Sequence, residues 1–324
     1  MIRPPRWPDG RRFAFTIFDD TDRATLANVR EVYALLRDLG MRTTKSVWPL
    51  RGDRRPTIPG ATCEDEPYRA WTLELQANGF EIGYHNATFH GVDRDVTREA
   101  LDRFEAIYGA PPRSAANHAD NDEAIYWGDA RLGGARRLAY RALHRFGAPR
   151  FYGHVPGDRR FWGDLCRERI TYVRNFVFDD IDTLTACPFM PYHDPTRPYV
   201  NLWFASAEGA TVDTFNRTIA EASQNALEEA GGACIMYTHF AKGFQRDGRL
   251  DRRFVDLMTR LADKGGWFPT TSELLDHLVA DRGEHIITPQ ERARMEWRWL
   301  AQRMRARVRS RLPSVARHAW RPPS

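Results

Sequence analysis

Residues 13–18, FAFTIF, form a short apolar and β-branched run that stops abruptly at Asp19-Asp20-Thr21-Asp22. No other feature constrains the fold more. A charge-free run of this length, ended by a polar turn, reads as a buried strand. The next segment, TLANVREVYALLRDLG, sets Leu26, Val29, Val32, Leu35 and Leu36 at helical spacing, with Gly40 where a C-terminal cap belongs. RTTKSVWPL reads as a second strand. A helix around 68–78 then leads through Gly79 to FEIGYH, a third strand. Strands alternating with helices imply parallel βαβ units.

The rhythm continues along the chain. Residues 97–108 and 135–146 read as helices, 171–178 and 198–205 as strands, and 211–230 as one long helix. ACIMYTHF is a buried strand, 251–264 a helix, GWFPT a last strand, and SELLDHLVA a last helix capped by Ser272. Roughly seven βα repeats predict an irregular (β/α)7-type barrel, in which catalytic groups collect at the C-terminal ends of strands. The catalytic domain is expected over 1–285 and a basic amphipathic helical tail over 286–324. Thr288-Pro289-Gln290-Glu291 is a capping box with Pro at the first helical position.

The four cysteines are scattered, with no CxxC pair, and fit a reduced compartment. The N-terminal MIRPPRWPDGRRFAF lacks the apolar stretch of a signal peptide, and no apolar segment is long enough to span a membrane. The expected location is cytoplasmic, on or near the inner membrane face. The charge is local: from Pro289 to Ser324 there are ten Arg against two Glu, +8, which leaves −3 for the rest of a chain whose net charge is +5.

Three strand ends carry polar residues that a core would not select: Asp19-Asp20 after FAFTIF, His85-Asn86-Ala87-Thr88-Phe89-His90 after FEIGY, and Thr238-His239 after ACIMY. Adjacent strand residues point to opposite faces, so the chain must bend if Asp19 and Asp20 act together. A carboxylate with two imidazoles suits a divalent metal such as zinc and leaves a position for water.

On these residues the chain resembles the polysaccharide deacetylases of carbohydrate esterase family 4, which share a NodB-homology domain. Thr16-Ile17-Phe18-Asp19-Asp20 is similar to that family's Thr-Phe-Asp-Asp-Gly string, and Glu81-Ile82-Gly83-Tyr84-His85 to its Gly-His-Glu-Ile-Gly stretch. The resemblance covers about residues 10–285 and is strongest over 13–91. It implies an irregular (β/α) barrel and a metal-dependent deacetylase, most readily with Zn2+. It implies Asp19 as general base, Asp20, His85 and His90 as metal ligands, and His239 as general acid. Arg113 would pair with the base, and Asp180 or Asp182 would orient His239. The chain departs from the pattern in places. Thr21 stands for the usual Gly, and His85 and His90 are five apart where the family has four. Arg113-Ser114-Ala115-Ala116 replaces Arg-x-Pro-Tyr, so Asn117 or His118 would rebuild the oxyanion contact.

Read alone, Asp-Asp before a helix is a cap or a solvated turn, and a single histidine at a strand end is a satisfied core residue. The βα context and the downstream histidines favour catalysis. The expected reaction removes an N- or O-acyl group from a carbohydrate, including a lipid-linked or nucleotide-linked precursor. The alternatives are hydrolysis of a non-sugar amide or formamide, and a degraded glycan-binding or membrane-associated protein. The tail sets Trp297, Leu300, Met304 and Val308 on one strip flanked by arginines, which suits an anionic membrane surface; a solvated helix end is the default reading, and packing on the body or on a second subunit competes with both. No nucleic-acid-binding motif accompanies the charge.

Overall fold

The computed structural model describes residues 5–145, 147 and 150–311. Its strands are β1 (Ala14–Asp19), β2 (Thr44–Val47), β3 (Glu81–Tyr84), β4 (Ser114–Ala115), β5 (Tyr172–Phe178), β6 (Tyr192–His193), β7 (Leu202–Gly209), β8 (Ala233–Thr238), β9 (Gln245–Arg246), β10 (Arg249–Leu250) and β11 (His285–Ile286). Neighbours run β7-β5-β4-β3-β2-β1-β8, and β7 also pairs with β8, so these seven strands close into a parallel barrel. β6 lies antiparallel to β7 outside the closure and carries β11. The expected (β/α)7 barrel is therefore present.

Two strands differ from the sequence expectation. GWFPT contributes a single parallel bridge, Trp267 to Ala14, at the N-terminal end of β1, and is not a barrel strand. Its place is taken by β4, whose two residues pair with Tyr84 on one side and with Tyr172 and Val173 on the other. So short a strand has no apolar run to announce it. The long helix over 211–230 is two, Val212–Thr218 and Glu221–Ala230. The cap of the helix Thr271–Arg282 is Thr270, in a capping box with Glu273, because the Ser272 hydroxyl instead donates to Glu81.

The principal core lies between barrel and helices. Val29, Val32 and Leu36 of the helix Leu26–Asp38 and Phe254, Leu257 and Leu261 of the helix Arg252–Asp263 are fully buried there. The four cysteines are free and buried. The helix Pro289–Arg311 folds onto the outside of the barrel. It buries Met295, Glu296, Trp299 and Leu300, with Trp299 against Phe176 and Tyr140. The strip expected from sequence is therefore divided: Leu300 faces the body, Trp297 and Met304 face solvent, and the Val308 side chain lies outside the described residues. Among the described residues no helix is long and apolar enough to cross a membrane.

Candidate active site

The end of β1 separates its two aspartates. Asp19 is in register with Lys45 of β2 and faces the helix layer. Its carboxylate accepts from Lys45 Nζ (2.8 Å), Tyr33 Oη (3.0 Å) and the Phe240 amide (2.9 Å). Burial opposes the Lys45 charge, but Asp19 outweighs it and raises the ammonium's pKa. Asp20 points the other way, into the barrel, where both its oxygens take the Arg174 guanidinium at 2.8 and 2.5 Å. Arg174 itself lies over the rings of Tyr237 and Phe18. Burial disfavours the Asp20 charge, and the Arg174 cation more than offsets this, so its carboxyl is held below the usual range.

Beyond the strand the chain turns, with Arg23 at φ 61°, and carries Asp22 to the centre of the mouth. Three imidazoles converge on it. His85 Nε2 is 3.2 Å from Asp22 Oδ1, His118 Nε2 is 3.6 Å from the same oxygen, and His239 Nε2 is 3.1 Å from Oδ2. Lys242 Nζ stands 3.6 Å from Asp22 on the solvent side. Burial works against ionisation of Asp22, but the adjacent His239 and His85 rings prevail and pull its carboxyl well below the ordinary range.

Each imidazole is oriented from behind. The Nδ1 of His85 donates to the Ala116 carbonyl (3.0 Å), that of His118 to Asn121 Oδ1 (2.7 Å), and that of His239 to the Ala210 carbonyl (3.0 Å). With Nδ1 committed as donor, Nε2 is the atom left for the site. Burial lowers the His118 pKa and so favours its neutral ring. Its Nε2 is then a buried lone pair with no hydrogen-bond partner.

A second tier braces two of these histidines. Asn86, at φ 64°, accepts from the His118 amide (2.7 Å) and donates to Glu123 Oε1 (3.1 Å). Asn121 donates to the same Glu123 oxygen (2.6 Å) and to the carbonyls of Thr88 and His90. Glu123 is fully buried, and burial pushes its pKa up to about 7.

The structure brings together Asp20, His85, His118 and His239 of the residues singled out from sequence. It does not bring the others to them. His90 turns aside: its Nδ1 donates to the Gly91 carbonyl, and its Nε2 meets the Arg54 amide and Asp53. There it lines a cavity of about 480 Å3, with Arg51, Arg54, Asp122 and Arg159, alongside the mouth. Arg113 lies at the N-terminal end of β4, the opposite mouth of the barrel, and forms a two-pronged pair with Asp276 (both 2.7 Å). Asp182 is at that opposite mouth too, capping the helix Thr183–Ala186 and accepting from the Ala233 amide; Asp180 pairs with Arg298. Neither orients His239. Sequence reasoning missed Asp22, Arg174 and Lys242 as site residues. Arg174 had a signal, a lone charge inside the apolar strand TYVRNFVF.

No family model matches the chain, and no curated protein matches it in sequence. Solved structures match in shape. The structure titled Puue allantoinase is 13% identical with a TM-score of 0.50, over 87% of this chain and 95% of that one. The fold is similar to that of an allantoinase. A structure titled putative polysaccharide deacetylase from Mycobacterium smegmatis is 15% identical with a TM-score of 0.48, over 86% of this chain and 93% of that one. One titled probable polysaccharide deacetylase from Pseudomonas aeruginosa PAO1 is 12% identical, also at 0.48, over 87% and 95%.

Proposed function

We propose that this chain is a metal-dependent hydrolase that releases an acyl group from an amine or alcohol of a carbohydrate. The observation that carries the reading is the convergence of His85, His118 and His239, each fixed at Nδ1, on the buried carboxylate of Asp22. Among the described residues, no group of three or more His, Cys, Asp or Glu side chains is placed, as it stands, to hold a metal ion. The donor chemistry nonetheless fits one. A neutral lone pair on His118 Nε2 facing a carboxylate oxygen is unfavourable without a cation between them. Asp22, His85 and His118 would hold the ion, and one carboxylate with two imidazoles suits Zn2+. When bound, the metal supplies a Lewis acid and water that ionises near neutral pH.

The remaining residues handle protons and charge. Asp20, oriented and kept ionised by Arg174 and 3.9 Å from His85 Nε2, accepts the proton of the attacking water. Asp19 is unsuited to that task, because its oxygens already take three donors and face the helix layer. His239, with Tyr237 Oη 3.4 Å from its Nε2, gives the proton to the leaving group. Lys242, at the open side, offers positive charge to the developing oxyanion. A cytoplasmic setting and a lipid- or nucleotide-linked sugar precursor belong to the same proposal.

The likeness to an allantoinase favours one second reading, hydrolysis of a small non-sugar amide at the same residues. Purified protein, stripped and reloaded with Zn2+, is assayed against acetylated sugars and against allantoin. Release of acetate that needs zinc and is lost in Asp22→Ala supports the proposal. Turnover of allantoin alone selects the second reading. Activity unaffected by Asp22→Ala rejects both.

A further inference from the structure

The helix Pro289–Arg311 has two apolar faces. The inner one, Met295, Trp299 and Leu300, is spent on the barrel. The outer one consists of Ala293, Trp297, Ala301 and Met304, spaced so that they fall on one strip of a helix. Trp297 is 46% and Met304 41% exposed. Beside Trp297 and Ala293 lies a cavity of about 710 Å3 with an apolar wall of Ala186, Pro188 and Phe189 and a rim that includes Glu291, Arg294 and Arg298. Ile286, just before the helix, is 64% exposed.

The charge beside this strip is mostly positive, although Asp180 stands next to it, paired with Arg298. Arg294, Arg303 and Arg305 are exposed and, among the described residues, pair with no carboxylate. The helix has only two acidic residues, and both are engaged. Glu291 accepts from Thr288 and His285 at the helix start. Glu296 is buried, receiving the Gly133 amide and the guanidinium of Arg136. Among the described residues, nothing on the helix therefore neutralises these three arginines.

We propose that this outer strip docks on an anionic lipid surface. Apolar side chains of a helix lying in the headgroup region enter the acyl boundary, while flanking arginines meet lipid phosphates. The Ala186–Phe189 cavity beside Trp297 receives part of an acyl chain. A second copy of this chain is a poorer occupant of the same strip, because face-to-face packing would bring like arginines together. The inference does not depend on the hydrolase reading, and its test uses no activity.

Full-length protein is sedimented with phosphatidylglycerol-containing vesicles and with phosphatidylcholine vesicles, at low and high salt. Binding is expected only to the anionic vesicles, and raising the salt should weaken it on the order of tenfold or more. Trp297→Ala should weaken binding on the order of tenfold through lost apolar burial. Arg294→Glu combined with Arg305→Glu should abolish it. Both variants should melt where the parent does, since the altered side chains are exposed. Failure to bind anionic vesicles at low salt overturns the proposal. So does a concentration-dependent dimer that Trp297→Ala disrupts, which would make the strip an interface between copies.

Discussion

Glu123→Gln offers a sharp test of the tier behind the histidines. Glu123 is fully buried, and burial raises its pKa from 4.5 to about 7. An acid whose folded pKa lies above its unfolded value binds its proton more tightly when folded. Its contribution to stability is complete below pH 4.5 and is lost as the pH climbs through about 7. At 1.36 kcal/mol per pKa unit, the shift is worth about 3 kcal/mol across that window. Glutamine does not titrate, so the variant lacks this loss. It carries instead a constant offset on the order of 1 kcal/mol, because its amide nitrogen cannot accept from the Val92 amide as Glu123 does. Urea unfolding followed by tryptophan fluorescence, with a chelator present, gives stability for both proteins from pH 4.5 to 8. The parent should lose about 3 kcal/mol relative to the variant over that range, whatever the offset. If the two curves run parallel, Glu123 does not titrate in the folded protein as described, and the reasoning fails.

Asp20→Asn should leave the Arg174 charge unpaired and cost roughly 3–5 kcal/mol of stability, yet protein that folds should retain zinc and show kcat lowered by roughly two to four orders of magnitude, as expected on losing a general base; unchanged turnover would remove Asp20 from the reaction. Asp19→Asn should instead destabilise the protein by roughly 3–5 kcal/mol, because it leaves the buried Lys45 charge unpaired; thermal unfolding reads this, and a variant as stable as the parent would refute the structural role. His118→Ala should lose bound zinc while His90→Ala retains it, measured by elemental analysis after dialysis; the reverse pattern would restore His90 to the ligand set. Truncation after Ile287 should lower the melting temperature and promote aggregation, because it uncovers the barrel face under Met295, Trp299 and Leu300; a truncated protein as stable and soluble as the full chain would show that the helix adds nothing to the body.

What the chain's own sequence determined is its local order. Apolar runs of strand length, helical spacing of leucines and valines, and glycine stops at Gly40 and Gly79 identify six of the seven barrel strands and most of the helices. The same polar stops put Asp19–Asp22, His85 and His239 at the end of the barrel where chemistry belongs. These features are legible because hydrophobic period and turn chemistry act over a few residues. Tertiary structure decided everything that depends on which way a side chain faces across strands. Strand alternation sends Asp19 outward to Lys45 and Tyr33 and Asp20 inward to Arg174, and the turn after β1 delivers Asp22 to the histidines. His118 and not His90 reaches Asp22, because β4 is a barrel strand whose following loop opens on the mouth, while His90 has already turned away toward Gly91 and Asp53. Arg113 and Asp182 sit at the other end of the barrel, a distance that residue numbers do not encode. The partners that settle each role come from segments as far apart as Asp20 and Arg174, and only closure of the barrel makes them neighbours.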